Sequence, residues 1–241
     1  LTDVGIMGVG EDLFIEVSHG PTLVDHNIFL SDRALKLPTQ GVAFVHNLIA
    51  GSMVAVGRGV NNGALTKISP RYTPYHVPHQ TEIAGFMTFL HGDMRFYNNI
   101  FIQQKIRLEL QQYLDSMGEN EWDDTNLVCG TSPYENYPTW EEYEKQFEGY
   151  CGMGSAPSDR YYNPLPVWAE GNVYFNDAKA MSKENAVVDH EHTITVSVEE
   201  RNGRYGIQTN LNDFVHSLKA AALISTDTLG MAFEPEQKFE N

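Results

Sequence analysis

Basic side chains are scarce in this chain: 16 Lys and Arg stand against 32 Asp and Glu, leaving a net charge of −16 with His neutral. Such a surface repels phosphate backbones and anionic bilayers, so neither nucleic acid nor a membrane is an expected partner. Cysteine is nearly absent. Cys129 and Cys151 flank an irregular acidic stretch, with no CxxC or other metal-ligand spacing, and a single disulfide or two free thiols are both open readings. No apolar run approaches the ~18 residues that span a bilayer and no basic-then-apolar signal opens the sequence; localisation stays open, with a cytoplasmic setting favoured. Gly8 and Gly10 make no phosphate loop, because no helix follows them to receive an anion. What remains is ample for a core: 241 residues, 41% of them hydrophobic.

Three segments share one frame. They are Val24-Asp25-His26-Asn27-Ile28-Phe29-Leu30, Phe44-Val45-His46-Asn47-Leu48-Ile49-Ala50 and Phe96-Tyr97-Asn98-Asn99-Ile100-Phe101-Ile102. Aligned on the asparagines, the first two are 20 residues apart, and the third follows after an insertion. A period of about twenty residues in β-branched and aromatic strands marks a solenoid. Asn suits its turns, since it tolerates the left-handed conformation and hydrogen-bonds along a stack. The expected fold is therefore all-β, a right-handed parallel β-helix with long loops and a few helices, in which Asn27, Asn47 and Asn99 form a ladder.

Residues 11–50 and 84–103 read as strands of this repeat, and Gly51 to Thr81, rich in Gly, Asn, Pro and His, as a long loop leaving the scaffold. Gln104 to Met117 reads as a helix with Ile106, Leu110 and Tyr113 on one stripe and Gly118 as its stop. Thr139 with Glu142 forms a capping box, after which Trp140, Tyr143, Phe147 and Tyr150 follow at helical spacing, the pattern of a packed face. Val173-Tyr174-Phe175 resembles another solenoid strand. Asn202-Gly203 signals a two-residue hairpin, and Asp213 to Leu223 a helix. The expected organisation is a solenoid portion over 1–180, with the loop 51–81 and a helical and irregular segment 104–165 inserted, followed by a hairpin-and-helix cover over 181–241.

Glu16 carries the chemistry. It sits in the apolar strand Leu13-Phe14-Ile15-Glu16-Val17, ahead of a tight Ser18-His19-Gly20-Pro21 turn, and a carboxylate among apolar neighbours is costly unless it has a role. Glycoside cleavage needs two carboxylates, about 5–5.5 Å apart in the retaining variant. Strands stacked about 4.7–4.9 Å apart supply nearly that separation from equivalent positions on neighbouring coils. The counterpart of Glu16 on the following coil falls near Lys36, which is no carboxylate, so its partner is expected on the coil before, N-terminal to Leu1, in a longer protein of which this chain is a piece. His76, His79 and Glu82 cluster in the long loop, Arg71 precedes them, and His19 lies beside Glu16 across the turn. Hydrogen bonds to sugar hydroxyls and simple pinning of the loop are both open for them. Pro78 between the two histidines disfavours the helix of an H-E-x-x-H metal site, and no metal or cofactor is expected. Arg95 could pair with Asp93 or reach the groove, and the pair is the favoured reading.

Gly10 to Pro21, then Thr73-Pro74-Tyr75-His76-Val77-Pro78-His79-Gln80-Thr81-Glu82, then Arg95-Phe96-Tyr97-Asn98-Asn99 resemble the β-xylosidases of glycoside hydrolase family 120. The resemblance covers residues 5 to 103 well and the remainder loosely. It implies a retaining, exo-acting enzyme that releases xylose from β-xylo-oligosaccharides. Glu16 would be its acid/base, and an Asp about one coil earlier, outside this chain, its nucleophile. Burial among Phe14 and Ile15 and the charge of that Asp would both raise the Glu16 pKa, as an acid requires. The isolated chain would be inactive, and homo-oligomerisation stays open. Two alternatives compete: a polysaccharide lyase, disfavoured by the shortage of Lys and Arg to hold uronates, and a non-catalytic carbohydrate-binding solenoid.

Overall fold

The computed structural model describes residues 11–16, 18–54, 71–117, 128–152, 154–155 and 163–215. Short strands of β-branched and aromatic residues follow one another as successive rungs. The first holds β1 (Leu13–Phe14), β2 (Thr22–Asp25) and β3 (Ile28–Phe29), and the second β4 (Arg33–Lys36), β5 (Gln40–Val45) and β6 (Leu48–Ile49); β7 (Ser52–Val54) starts a third. All pair in parallel with the rung before, as in Leu13↔Leu35, Val24↔Phe44, Ile28↔Leu48 and Leu35↔Met53. β8 (Arg71–His76) and β9 (Ile83–Phe89) then form an antiparallel hairpin of their own. With β10 (Gly92–Tyr97) and β11 (Ile100–Ile102) the rungs resume, Met94 beside Val42 and Ile100 beside Leu48.

After α1 (Leu108–Met117), a 3-10 turn at Ser132–Tyr134 and α2 (Trp140–Lys145), β12 (Val167–Phe175) runs beside both β10 and β11, and β13 (Asn185–Val188) pairs with it. The hairpin of β14 (Val196–Arg201) and β15 (Arg204–Thr209) and the short α3 (Asn212–Val215) follow. The described chain is mostly β with few helices, around a large parallel sheet ordered β2-β5-β10-β12-β11-β6-β3, an arrangement compatible with a β-helix.

A row of left-handed residues turns each rung: His26, His46, Asn98 and Gly171 have φ of 53°, 55°, 55° and 69°. Beside them runs the asparagine ladder. The backbone N–H and side-chain amide of Asn27 donate to Asn47 Oδ1 (2.9 and 3.3 Å), those of Asn47 to Asn99 Oδ1 (both 3.0 Å), and those of Asn99 to Asn172 Oδ1 (2.9 and 3.0 Å). Each inner amide also reaches back to a carbonyl of the rung before, from Asn47 to Val24, Asn99 to Phe44 and Asn172 to Phe96. Glu184 terminates the ladder, accepting from Asn172 Nδ2 (2.7 Å), Tyr174 Oη (2.6 Å) and Thr131 Oγ1 (2.7 Å). Inside the rungs, Phe44 stacks on Phe96 at 5.4 Å and Phe101 on Tyr174 at 4.9 Å, so aromatic rings follow the same repeat as the backbone. Ala50, Ile102, Val173 and Phe175 pack with Ile194 and Leu211 in a second cluster.

Several expectations need correction. Residues 71–76 are a strand, and 83–89 are its antiparallel partner instead of a resumed solenoid coil. Pro74 and Gly85 hide the alternation of these strands. A two-stranded sheet tolerates Pro74, and the Tyr75 ring fills the gap at Gly85, where an added Cβ would lie 2.8 Å from Tyr75 Oη. The capping box of α2 forms as expected, with Glu142 N–H donating to Thr139 Oγ1 (3.2 Å) and Thr139 N–H to Glu142 Oε2 (2.8 Å). Its aromatic stripe, however, is not a buried face: Trp140 is 48% and Tyr150 52% exposed. The rings of Tyr143 and Phe147 pack on each other at 5.3 Å, because six helical residues are too few to lay a stripe across the sheet. α1 begins at Leu108, four residues later than read, with Leu110 buried. Gly118 and residues 216–223 of the last expected helix lie outside the described residues. Both cysteines are free.

Candidate active site

The acidic pair Glu11-Asp12 fastens the strand that leads to Glu16. Glu11 pairs with the buried Arg33 at 2.7 Å, and the Asp12 carboxylate accepts from Leu30 N–H (2.9 Å), Ser31 N–H (2.9 Å) and Ser31 Oγ (2.6 Å). With Ile15 N–H donating to Lys36 carbonyl at 3.0 Å, β1 is locked onto β4. Strand alternation then turns Leu13 and Ile15 toward the core and leaves Phe14 and Glu16 exposed. The apolar enclosure expected around Glu16 is therefore corrected: Phe14 is 49% exposed and lies under Lys36 Nζ, 5.1 Å from the ring centroid. The following rung continues Lys36-Leu37-Pro38, so it brings no carboxylate alongside Glu16.

The turn after Glu16 is held from below. Ser18 carbonyl accepts from Gln40 N–H and Thr39 Oγ1, both at 3.1 Å, and Ser18 Oγ from Gly20 N–H at 3.2 Å. Gly20 (φ 75°) lies over Gly41 (φ 73°), and a Cβ on Gly20 would meet the Gly41 carbonyl oxygen at 2.2 Å. Only glycine fits there. His19 Nε2 meets the Thr73 hydroxyl across 54 residues, joining this turn to β8. Burial lowers the His19 pKa from its ordinary value.

The remaining candidates sit on the β8–β9 hairpin, at its two ends. Arg71 opens β8 opposite Phe89. His76, His79 and Glu82 gather at the exposed tip. There His76 Nδ1 lies 3.1 Å from Thr81 carbonyl, Val77 N–H donates to Glu82 carbonyl (2.9 Å), and His79 takes a left-handed φ of 58°. Among the described residues, no three His, Cys, Asp or Glu side chains come together as a metal set. Arg95 does pair with Asp93, at 2.5 Å, and lies over the Trp168 ring at 4.4 Å. Burial raises the Asp93 pKa, and Arg95 opposes that rise.

Two groups escaped the sequence reading. Asn172, the fourth rung of the ladder, stands before Val173-Tyr174-Phe175 as Asn99 stands before Ile100-Phe101-Ile102, so its signal was there to be read. Thr73 has none, because its partner is fixed only once the hairpin folds back on the turn.

Fold and site together define a mostly-β protein whose stacked parallel strands present an outward carboxylate beside a hairpin fastened to the same turn. One solved structure, the complex of XylC with xylose, superposes on this chain with a TM-score of 0.67 at 32% sequence identity. The match takes in 95% of this chain and 31% of the XylC chain, so the chain spans about a third of that protein's length. No protein-family model and no curated protein matches the chain.

Proposed function

We propose that this chain is part of a right-handed parallel β-helix glycoside hydrolase of the family 120 type, releasing xylose from the non-reducing end of β-xylo-oligosaccharides with retention. The observation that carries the reading is the outward, exposed Glu16 at the first rung of the described residues, in a chain similar over 95% of its length to a protein solved with xylose.

In this mechanism Glu16 protonates the glycosidic oxygen as an Asp carboxylate from the preceding rung attacks the anomeric carbon. The leaving sugar departs as an alcohol, and a glycosyl ester remains on the Asp. Glu16, now a carboxylate, takes a proton from water as its oxygen attacks the same carbon, which frees xylose and regenerates both groups. A rung spacing of about 4.8 Å puts acids on adjacent rungs near the separation this needs. The described residues leave Glu16 exposed, and in this mechanism the preceding rung and the bound sugar enclose it. His19, Arg71, His76, His79 and Glu82 supply contacts to sugar hydroxyls. No cofactor takes part.

The test is turnover of nitrophenyl β-xyloside by the complete polypeptide, with and without Glu16→Gln, beside the isolated chain. The complete protein turns over, Glu16→Gln loses at least about 100-fold, and the isolated chain is silent. An unsaturated product absorbing in the ultraviolet would replace the reading with a lyase, and binding of xylo-oligosaccharide without turnover would replace it with a binding module.

A further inference from the structure

We infer that Thr73 is a positioning residue: by engaging His19 Nε2 it latches the β8–β9 hairpin to the turn that follows Glu16, so that acid and hairpin are held as one unit around the leaving-group sugar. The inference rests on the glycosidase reading for its functional half, whereas the latch stands on geometry alone.

The two ends of this latch differ in how they are anchored. The His19 side is rigid, since the turn is tied to Gln40 and Thr39 through Ser18 and seated on Gly41 at a glycine-only contact. Among the described residues the hairpin pairs with no rung and forms a separate two-stranded sheet. An isolated two-stranded ribbon is marginal in water, so its orientation depends on the few contacts at its base. Thr73 is buried there, while Tyr75, Ile83 and Phe86 farther along are exposed, Phe86 by 69%. The Leu90 N–H bond to Gln40 Oε1, 2.7 Å, holds only the returning strand's exit. Thr73 is thus the described side chain that ties the outgoing strand to the Glu16 turn. Exposed aromatic and apolar faces on a hairpin tied to the turn that follows Glu16 suit the apolar face of a pyranose ring, and the sugar that Glu16 protonates on departure is the one on its side.

The experiment compares wild type, Thr73→Val and Thr73→Ser. In this chain, hydrogen exchange at the hairpin amides and the imidazole nitrogen shifts of His19 at fixed pH report the latch. In the complete polypeptide, kcat and KM for xylobiose report positioning. Thr73→Val, which keeps the shape and loses the hydroxyl, should speed hairpin exchange about tenfold, shift the His19 resonances and raise KM about tenfold with kcat within about twofold. Thr73→Ser should restore all three. Unchanged exchange and His19 shifts in Thr73→Val would overturn the latch, and a lost latch with unchanged KM would overturn the positioning role. A complete protein without β-xyloside turnover would sink the glycosidase reading and with it the functional half, while exchange and shifts would still decide the latch.

Discussion

Replacing Asn99 by Ala probes the ladder at its centre. Asn99 is fully buried, and its side chain makes four hydrogen bonds: Oδ1 accepts from Asn47 N–H and Nδ2, and Nδ2 donates to Phe44 carbonyl and Asn172 Oδ1. Removing it does not cost four bonds, because some partners keep another. The Asn47 amide retains Val24 carbonyl, and Asn172 Oδ1 retains the Asn99 N–H. The Asn47 N–H loses its partner, and the Phe44 carbonyl loses its bond from Asn99 but stays within the β5–β10 pairing. At about 1–3 kcal/mol for the buried N–H left without a partner and about 1 kcal/mol for the lost bond to the Phe44 carbonyl, with a small cavity added, the loss is about 2–5 kcal/mol. Asn27→Ala is the internal control. Its amide bonds only its own rung's Asp25 carbonyl and, at 3.3 Å, Asn47 Oδ1, and the residue is exposed, so water replaces it at a cost under about 1 kcal/mol. Urea denaturation followed by far-ultraviolet circular dichroism measures both as midpoint shifts. Equal shifts for Asn27→Ala and Asn99→Ala would refute the view that buried ladder amides hold the rungs together. Asn99→Asp adds a check on sign. Its carboxylate keeps both acceptor bonds but sets charge against Phe44 carbonyl and Asn172 Oδ1, so it should destabilise more than Ala at neutral pH and regain stability on acidification.

His91 is fully buried with Nδ1 2.7 Å from Tyr137 Oη, and burial lowers its pKa from 6.5 to about 4. The unfolded chain thus binds a proton that the folded one refuses between those values. The contribution is complete above about pH 6.5 and is lost as pH falls toward 4, a difference of about 3 kcal/mol that a His91→Gln variant should lack in pH-dependent denaturation. Cys129 is buried, donates to Ile49 carbonyl at 3.3 Å and has its thiol pKa pushed up to about 12, whereas Cys151 is exposed. A thiol reagent should therefore titrate one cysteine in the native chain and two in denaturant; two reacting natively would contradict the packing around Cys129.

Local pattern decided a good deal. The repeat of Asn27, Asn47 and Asn99 in one apolar frame was enough to predict rungs paired at that spacing, because a parallel stack must place equivalent residues side by side. The Thr139 cap and the Asn202-Gly203 turn, with φ of 55° and 73°, were legible for the same reason: each is set within a few residues. Tertiary structure alone decided which neighbour each exposed or buried group meets. No spacing announces that Thr73 reaches His19, that Glu184 closes the ladder, or that Trp140 stays half in water, since these follow from where hairpins and loops land on the stack. The same holds for Glu16: sequence placed it on an apolar strand, but strand alternation in the folded rung turned it outward, and its enclosure depends on what lies against that edge.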